Sequence, residues 1–304
     1  MKLKLGTRGS ALARAQSGDV ARMLEACGHE VEVVIIKTLG DAQQDRPFAD
    51  VGAAGIFVRE IEYALLDHRI DVAVHSYKDL PTLGPPDLVI GSVPERVDCA
   101  DRLLVRADQV DKSQGLLPVR QGAVIGTASA RRQALLSHYR PDLTCKMLRG
   151  NVPTRIQRLV DGQYDAILLA AAGLQRLQRS DALPEPDAYV AFRVDPTEFV
   201  PAPSQGALAI QVRKDDADTR AAVAATNVAQ AERLVATERA LQAKVEAGCQ
   251  IPFGAWCRST GDGLELFACA EASVGMAFAR ATGRDPDGLA DLALAQLKEG
   301  GAKL

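Results

Sequence analysis

A cysteine and an aspartate stand on turns where their side chains are available for chemistry. Cys249 lies between a glycine and a proline in the segment 246–252 (Glu-Ala-Gly-Cys-Gln-Ile-Pro), just after a strongly helical run. Asp79 follows the apolar segment 72–74 and comes shortly before Pro81. A thiol on such a turn can carry a covalent group, and a carboxylate at a strand end can stabilise a cation or transfer protons. An aspartate that merely caps the turn before the proline is the alternative for Asp79.

Three turns with small residues and arginines share one place, between a predicted strand and a predicted helix. They are the segments 6–10 (Gly-Thr-Arg-Gly-Ser), 126–132 (Gly-Thr-Ala-Ser-Ala-Arg-Arg) and 148–155 (Leu-Arg-Gly-Asn-Val-Pro-Thr-Arg). Backbone N–H groups at a helix start attract anions, and Arg131 and Arg132 stand where the helix dipole disfavours a cation. Capped helices with solvated arginines are the alternative at each turn. Three such turns together favour a polyanionic ligand.

Composition and cysteine spacing argue against several classes of protein. The formal net charge of -3 argues against a general nucleic-acid or membrane surface. The six cysteines show no C-x-x-C spacing, so we expect no metal site and no redox motif. Because we also expect no signal peptide, a disulfide framework is not expected. Because the start runs directly into a predicted strand and no apolar run is long enough to span a membrane, we expect a cytoplasmic protein. His75 is expected to be a core histidine.

Strand and helix patterns alternate along the chain, which predicts α/β lobes built on parallel sheets. In the first part, the predicted strands are 3–5, 30–38 and 72–74, and the predicted helices are 10–27 and 57–66. After Pro94, the predicted strands are 103–105, 124–126, 144–148 and 166–170, and the predicted helices are 130–138 and 153–161. The two sets are of similar size, so we expect two lobes.

The apolar segment 207–212 is predicted to be a strand that returns to the first sheet. Two crossovers between the lobes would then form a hinge, with a cleft between the lobes. A third region follows, with a long helix from 216 to about 247, strands at 252–258 and 264–271, and a final helix at 288–298. We expect domain 1 to comprise 1–96 and 196–213, domain 2 to comprise 97–195, and domain 3 to comprise 214–304.

Seven segments, in order and over nearly the whole chain, resemble the porphobilinogen deaminase (hydroxymethylbilane synthase) family. They surround Arg8, Asp79, Arg131-Arg132, Arg149-Gly150-Asn151, 171–174 (Ala-Ala-Gly-Leu), 205–207 (Gln-Gly-Ala) and 249–252 (Cys-Gln-Ile-Pro). The resemblance implies two lobes like those of type II periplasmic binding proteins, a double crossover hinge and a small α/β domain at the carboxyl terminus. It implies head-to-tail condensation of four porphobilinogen molecules with loss of ammonia, giving hydroxymethylbilane.

The resemblance also assigns roles to residues. Cys249 matches the cysteine that holds a dipyrromethane cofactor through a thioether, and Asp79 matches the catalytic aspartate. The acetate and propionate groups of the pyrrole rings need partners, and the resemblance implies contacts to the cofactor from Arg8, Ser10, Lys78, Thr127, Ser129, Arg131, Arg132, Arg149, Gly150, Arg155 and Gln205. Phe57 and Arg59 match the lid and substrate region, where Phe57 either packs on a pyrrole ring or belongs to the core. A monomer is implied.

The chain departs from the family pattern in two places. Ala54 stands in the glycine-rich lid, 51–57, where the family commonly has a lysine, and Arg59 is expected to compensate. Ala247 replaces one of two glycines before the cysteine, which is a small change. Three alternatives are considered: a non-catalytic two-lobed protein that binds a small dicarboxylate, a hydrolase with a cysteine nucleophile, and an inactive relative of the family, which the change at Ala54 suggests. The binding protein gives no reason for Cys249, and the hydrolase lacks a recognisable histidine base.

Overall fold

The protein divides into two compact units. The structure is a computed structural model, and it describes residues 1–36, 56–179, 183–245 and 252–304, with the backbone alone at 56, 57 and 186. The first unit contains 1–97 and 207–232, and the second contains 98–206 and 233–304. The finer division into three domains stays a prediction.

A five-stranded mixed sheet forms the centre of the first unit. Its elements are β1 (Lys2–Thr7), α1 (Ala11–Ala26), β2 (Glu30–Ile35), α2 (Ile56–Leu66), β3 (Val72–Ser76), β4 (Leu88–Ser92), β10 (Leu208–Arg213) and α6 (Ala217–Ala224). The strand order is β2-β1-β3-β10-β4. β1 is parallel to β2 and β3, whereas β10 is antiparallel to β3 and β4. The predicted return strand is therefore confirmed.

Helices cover both faces of this sheet, which explains the continuous burial of its central strands. All six residues of β10 are buried. Val20 and Leu24 of α1 pack with Leu3 and Leu5 of β1 on one face. On the other face, Ile61 and Leu65 of α2 pack with Ala73 of β3. The sheet is thus fixed from both sides, and the turns at its edge have a rigid support.

A second five-stranded mixed sheet lies in the second unit. Its elements are β5 (Asp101–Arg106), β6 (Val124–Gly126), α3 (Ala130–Tyr139), β7 (Thr144–Lys146), α4 (Val152–Val160), β8 (Ala166–Ala170), α5 (Ala171–Gln178) and β9 (Tyr189–Arg193). The order is β7-β6-β8-β5-β9. β6 is parallel to β7 and β8, and β5 runs antiparallel to β8 and β9. The arrangement repeats that of the first sheet.

A three-stranded antiparallel sheet completes the second unit. The elements are α7 (Ala229–Lys244), β11 (Phe253–Thr260), β12 (Gly263–Glu271), β13 (Met276–Gly283) and α8 (Pro286–Glu299). Leu289, Ala293 and Leu297 of α8 and Leu241 of α7 share a core with this sheet. Other sheet residues, including Phe267, pack with the core of the second five-stranded sheet.

These sheets confirm the predicted class, two α/β lobes of type II topology with a small α/β region after them. The predicted continuous helix from 216 to about 247 is wrong over its first part, because it consists of α6 and α7 with a break between them. The predicted strand 30–38 ends at Ile35, and residues 37 and 38 lie outside the described residues. Among the described strands and α-helices, four were not predicted: β4, β9, β13 and α5.

Candidate active site

Four of the predicted site residues meet at one edge of the first sheet. Arg8 and Ser10 follow β1, and Lys78 and Asp79 follow β3. Since β1 and β3 are parallel neighbours, with Leu5 opposite Val72, their carboxyl ends lie at the same edge. Ligands of open α/β sheets bind at such edges.

The turn after β3 is held by several hydrogen bonds. Gln16 Nε2 donates to Ser76 Oγ at 2.8 Å, and the Tyr77 backbone N–H donates to the Ala207 carbonyl at 3.1 Å. The backbone N–H of Leu80 donates to the Tyr77 carbonyl at 3.2 Å and closes a single 3₁₀ turn over Tyr77–Asp79. The turn is therefore fixed by its surroundings rather than by the Asp79 side chain.

Asp79 is exposed, and its carboxylate has no hydrogen-bond or ion-pair partner within the described part of the chain. It does not cap the turn, so the capping alternative does not describe this residue. A carboxylate without a partner at the carboxyl end of a strand is free to meet a cationic group of a ligand.

The other residues of this edge provide cations and a helix start. Ser10 is the N-cap of α1, and its side chain accepts a hydrogen bond from the Ala13 backbone N–H at 3.3 Å. Arg8 and Lys78 are half-buried, and Arg59 is exposed on α2. The side chain of Phe57 and the lid residues 51–55, with Ala54, lie outside the described residues. Their predicted roles stay predictions.

A second group of predicted residues lies at the corresponding edge of the second sheet. β6 leads to Thr127 and Ser129, and its parallel neighbour β7 leads to Arg149 and Gly150. The Thr127 backbone N–H donates to the Lys146 carbonyl at 3.1 Å and joins the two turns. Ser129 is the N-cap of α3. Two helix starts thus lie side by side, each presenting backbone N–H groups toward the same edge.

The turn after β7 leaves a cation exposed. Gly150 has a φ of +107°, a conformation that favours glycine, and its carbonyl accepts from Arg155 Nε at 2.7 Å. Asn151 is the N-cap of α4 and accepts from the Thr154 backbone N–H at 2.9 Å. The Arg149 side chain is exposed next to this helix start, where the dipole disfavours a positive charge. An anion there would relieve that cost.

Arg131 and Arg132 are buried against a carboxylate that sequence reasoning missed. Their side chains reach Asp101, with Arg131 Nη2 at 2.8 Å from Oδ2 and Arg132 Nη2 at 2.7 Å from Oδ1. Asp101 is 0% exposed, and the arginines are 5% and 7% exposed. Burial acts to raise the pKa of Asp101, but the guanidinium groups of Arg131 and Arg132 outweigh it and hold that pKa well below its usual range.

Asp101 belongs to the same edge as the two turns. It begins β5 and lies opposite Ala170, the last residue of β8, so it sits level with the carboxyl ends of the parallel strands. Its partners are 30 and 31 positions away in the sequence. Only the crossing order of the strands brings the three together, and a single sequence carries no signal for that.

Gln205, predicted to bind the cofactor, is engaged with this carboxylate. It is fully buried, and its Nε2 donates to Asp101 Oδ1 at 2.9 Å and to the Cys99 carbonyl at 2.8 Å. Next to it, Arg176 of α5 is buried and its Nη2 donates to the Gly206 carbonyl at 3.3 Å. Arg176 was also missed, although the segment 171–174 that precedes it in α5 was among those that carried the resemblance.

Some buried donors of this cluster remain unsatisfied. The Nε atoms of Arg131 and Arg132 are buried and have no hydrogen-bond partner among the described residues. Buried polar groups normally have partners, because leaving one unmade costs free energy. A carboxylate-bearing ligand would supply acceptors of the right charge, so these residues fit a dipyrromethane with its acetate and propionate groups.

Cys249 lies outside the described residues, as does all of 246–251. Of the described cysteines, Cys99, Cys257 and Cys269 are buried, and Cys27 is exposed just after α1. Burial raises the pKa of Cys269 to about 12, so that thiol is inert. The role of Cys249 stays a prediction.

His75 is a core histidine, as predicted. It is buried, and its Nε2 lies 2.9 Å from Gln211 Oε1, while Gln211 Nε2 donates to Glu62 Oε1 at 3.0 Å. Among the described residues, no group of histidine, cysteine and acidic side chains is arranged to hold a metal ion. No helix in that part of the chain has the length and apolar character needed to cross a membrane.

Comparisons with known proteins agree with these observations. Residues 3–221 match the family model described as "Porphobilinogen deaminase, dipyromethane cofactor binding domain". The chain is 41% identical to a porphobilinogen deaminase of Bacillus cereus, covering 99% of this chain and 96% of that protein. It is 39% identical to that of Syntrophobacter fumaroxidans, covering 93% and 92%. A probable porphobilinogen deaminase of Methanococcoides burtonii is 44% identical over 88% of this chain and 82% of that protein.

Solved structures show a more distant similarity. The VFT2 domain of Bordetella pertussis BvgS is 14% identical with a TM-score of 0.45, covering 78% of this chain and 91% of that domain. A periplasmic binding protein of Salmonella typhimurium with high arginine specificity is 13% identical with a TM-score of 0.40, covering 74% and 91%. TM-scores below 0.5 are too low to carry a functional conclusion.

Proposed function

Because the chain belongs to the porphobilinogen deaminase family, it is an enzyme of tetrapyrrole biosynthesis with a dipyrromethane cofactor. We propose that the residues described above perform the family's reaction as a transferase. Four porphobilinogen molecules are joined head to tail, each with loss of ammonia, and hydroxymethylbilane is released. The observation that carries this proposal is the exposed Asp79 carboxylate, which has no partner among the described residues.

Cys249 would hold the cofactor through a thioether. The cofactor, when bound, supplies the pyrrole ring to which substrate is added. Its acetate and propionate groups would be held by the helix starts after β6 and β7, with Thr127, Ser129 and Gly150 providing the turns. Arg131 and Arg132 would donate from the Nε atoms that the described protein leaves unsatisfied.

Asp79 would act on the substrate. Loss of ammonia leaves positive charge that the pyrrole nitrogen of porphobilinogen shares, and a nearby carboxylate stabilises such a charge. The same carboxylate can accept a proton during coupling and return one to the departing amine. The free side chain of Asp79 suits both tasks because no protein cation neutralises it within the described residues.

Cations at the edges of the two five-stranded sheets would bind the carboxylates of incoming substrate. Arg8 and Lys78 stand at the same sheet edge as Asp79, and Ser10 begins a helix there. Arg149 and Arg155 provide further charge in the second unit, at the start of α4. Guanidinium groups bind carboxylates with two parallel hydrogen bonds, so they fix orientation as well as charge.

A cytoplasmic monomer is part of this proposal. A binding protein for a small dicarboxylate could use the same cations, but it would need neither a free Asp79 nor an attached cofactor. The two proposals therefore differ in whether the protein carries covalent mass and consumes porphobilinogen.

The intact mass of the purified protein tests the proposal. We expect an excess equal to two linked pyrrole units, absent from a Cys249→Ser variant and retained in Cys27→Ser, which changes an exposed cysteine elsewhere. If the protein is isolated unmodified, incubation with porphobilinogen should add the same mass. Unchanged mass after that incubation, with no porphobilinogen consumed, would leave only a binding function.

A further inference from the structure

The buried cluster at the edge of the second sheet has an unbalanced charge. Arg131 and Arg132 bring two positive charges, and Asp101 is the carboxylate within ion-pair distance of them among the described residues. The three side chains are almost completely buried, so water screens them poorly. Without Asp101, two buried guanidinium groups would face each other unneutralised.

The contacts of each arginine follow the same pattern. Arg131 Nη1 donates to the Val200 carbonyl at 2.8 Å, and Arg132 Nη1 donates to the Leu168 carbonyl at 2.9 Å. The Nη2 atom of each arginine donates to one oxygen of Asp101. Each guanidinium plane is thus fixed at two corners, and its Nε remains without a partner in the described residues.

The carboxylate of Asp101 is itself held in place by a buried loop. Gln205 Nε2 donates to the oxygen that also accepts from Arg132. The loop that carries Gln205 has Ser204 at a φ of +63°, which is uncommon for a residue other than glycine. The Ser204 backbone N–H donates to Glu238 Oε2 of α7 at 2.7 Å, and this fully buried contact holds the loop against α7.

A second buried carboxylate of the same unit provides a comparison, in which the ion pairs only stabilise the fold. Glu265 of β12 is also buried and also bridges two arginines, Arg258 and Arg280, at 2.6 Å each. Those arginine side chains are 44% and 67% exposed, so their remaining donors reach water. The Asp101 cluster differs because its unused donors are buried.

We propose that Asp101 is a positioning residue, held by Gln205, that orients Arg131 and Arg132 so that their buried Nε donors can bind a carboxylate of the pyrrole ligand when it enters the cluster. This inference rests on the proposed function. Asp101 does not touch the ligand, and it reduces the net charge of the cluster from two to one. Gln205 then acts through Asp101, which differs from the direct contact with the cofactor expected from the sequence.

The test compares Asp101→Asn with the matched variant Glu265→Gln in the full-length protein. Each replaces a buried carboxylate that bridges two arginines by its amide, and only the first affects the sheet edge. The first measurement is the fraction of purified protein that carries the cofactor, read from its intact mass. The second is cofactor loading of apoprotein by porphobilinogen at increasing concentrations of inorganic phosphate, with thermal unfolding of each variant as the stability reference.

For Asp101→Asn we expect the loaded fraction to fall about tenfold or more, because one charge-assisted hydrogen bond changes an equilibrium by that order. Phosphate should inhibit loading at about tenfold lower concentration, because the cluster then holds two unpaired positive charges. Glu265→Gln should load and respond to phosphate like the unchanged protein. Normal loading of Asp101→Asn would overturn the inference. The inference would also be overturned if Asp101→Asn and Glu265→Gln lost cofactor loading and thermal stability to the same extent.

Gln205→Leu provides the answer if Asp101→Asn does not fold. It keeps the charges of Asp101, Arg131 and Arg132, and it removes the amide donor that orients the Asp101 carboxylate. Loading should slow several-fold, and a normal rate would overturn the inference. The unchanged protein separates this inference from the proposed function. If the unchanged protein neither carries nor acquires the cofactor mass, the proposed function fails. If the unchanged protein and the variants all load normally, only the role of Asp101 fails.

Discussion

Two aspartates at sheet edges have opposite surroundings, which suit the different roles proposed for them. Asp79 is exposed and has no partner among the described residues, whereas Asp101 is buried and binds two arginines. A carboxylate that is already neutralised is poorly suited to stabilise a new cation, while a free one can do so. The environment, rather than the residue type, thus separates the proposed catalytic role of Asp79 from the proposed positioning role of Asp101.

The first prediction concerns Asp79→Asn. The variant should keep its fold and its cofactor mass, because the side chain supports no described contact, but its turnover should fall by about 100-fold or more. Steady-state rates of porphobilinogen consumption measure this. Asp87→Asn, another exposed aspartate of the first unit, is the control and should react normally. A normal rate for Asp79→Asn would remove Asp79 from the mechanism.

The second prediction concerns His75 and the pH dependence of stability. Burial lowers the pKa of His75 from 6.5 to about 4, although its hydrogen bond with Gln211 acts in the opposite direction. The unfolded chain therefore binds a proton at His75 below pH 6.5, whereas the folded chain binds that proton only near pH 4. This contribution to stability is present above pH 6.5 and is lost as the pH falls toward 4, by roughly 2 to 3 kcal/mol.

Urea unfolding at pH 7 and pH 4.5 measures that loss. His75→Asn removes the titrating group, so its free energy of unfolding should fall by roughly 2 kcal/mol less between the two pH values than that of the unchanged protein. His68→Asn is the control, because His68 is exposed and asparagine tolerates its φ of +56°. Identical pH dependence in all three proteins would show that folding does not lower the pKa of His75.

At the scale of elements, the sequence predicted strands well where burial is complete. β10 was found from a short apolar run because both faces of that strand are covered. The prediction of one long helix after 216 is wrong at residues 225–228, where the helix is interrupted. There Thr226 Oγ1 donates to the Val223 carbonyl at 2.7 Å, and Asn227 Oδ1 accepts from the Val93 backbone N–H at 2.8 Å. Side chains that bond to the backbone compete with helix, and an alanine-rich composition conceals this.

The candidate site was predictable to the extent that its residues occupy turns after strands. Arg8 and Asp79 follow strands of the first sheet and Arg149 follows a strand of the second, and parallel pairing brings such turns to one edge of each sheet. The pairing of Arg131 and Arg132 with Asp101 was not predictable, since it depends on the antiparallel placement of β5 beside β8. A buried counter-charge distant in sequence leaves no local pattern.

The third prediction concerns α7 and its buried Glu238. This side chain accepts from the Ser204 backbone N–H at 2.7 Å and from the Cys257 backbone N–H at 2.8 Å, so it joins the 201–206 loop to β11. Glu238→Ala leaves two buried donors unsatisfied and should lower the free energy of unfolding of the second unit by about 3 to 5 kcal/mol. Denaturant unfolding followed by Trp256 fluorescence measures the change.

Glu299→Ala is the control for that loss. Glu299 is exposed at the end of α8 in the same unit, so its removal should change stability by no more than about 0.5 kcal/mol. If Glu238→Ala and Glu299→Ala unfold at the same denaturant concentration, the two buried hydrogen bonds contribute little. The loop would then depend on Gln205 and its own backbone.

At the scale of the whole molecule, the chain is interleaved rather than divided into successive blocks. The first unit needs 207–232 to supply β10 and α6, and the second unit needs 233–304. Phe267 and Met276 of the three-stranded sheet pack in one core with Leu103 and Phe199. The ring of Trp256 stacks on Phe267 at 5.3 Å between centroids. The second five-stranded sheet therefore shares its core with the three-stranded sheet.

The fourth prediction follows from this arrangement and concerns a chain truncated after Glu232. It keeps every segment of the first unit, so the amides of β1, β3 and β10 should stay protected from hydrogen exchange as in the full-length protein. The second sheet loses Phe267, Met276 and the Glu238 contact, which exposes its apolar core. Amides of β5, β6 and β8 should therefore exchange at least about 100-fold faster.

A chain that lacks only Lys303 and Leu304 is the control, and the amides of both sheets should stay protected in it. Full protection of β5, β6 and β8 in the truncated chain would mean that residues 98–206 fold by themselves, and the shared core would then stabilise the three-stranded sheet alone.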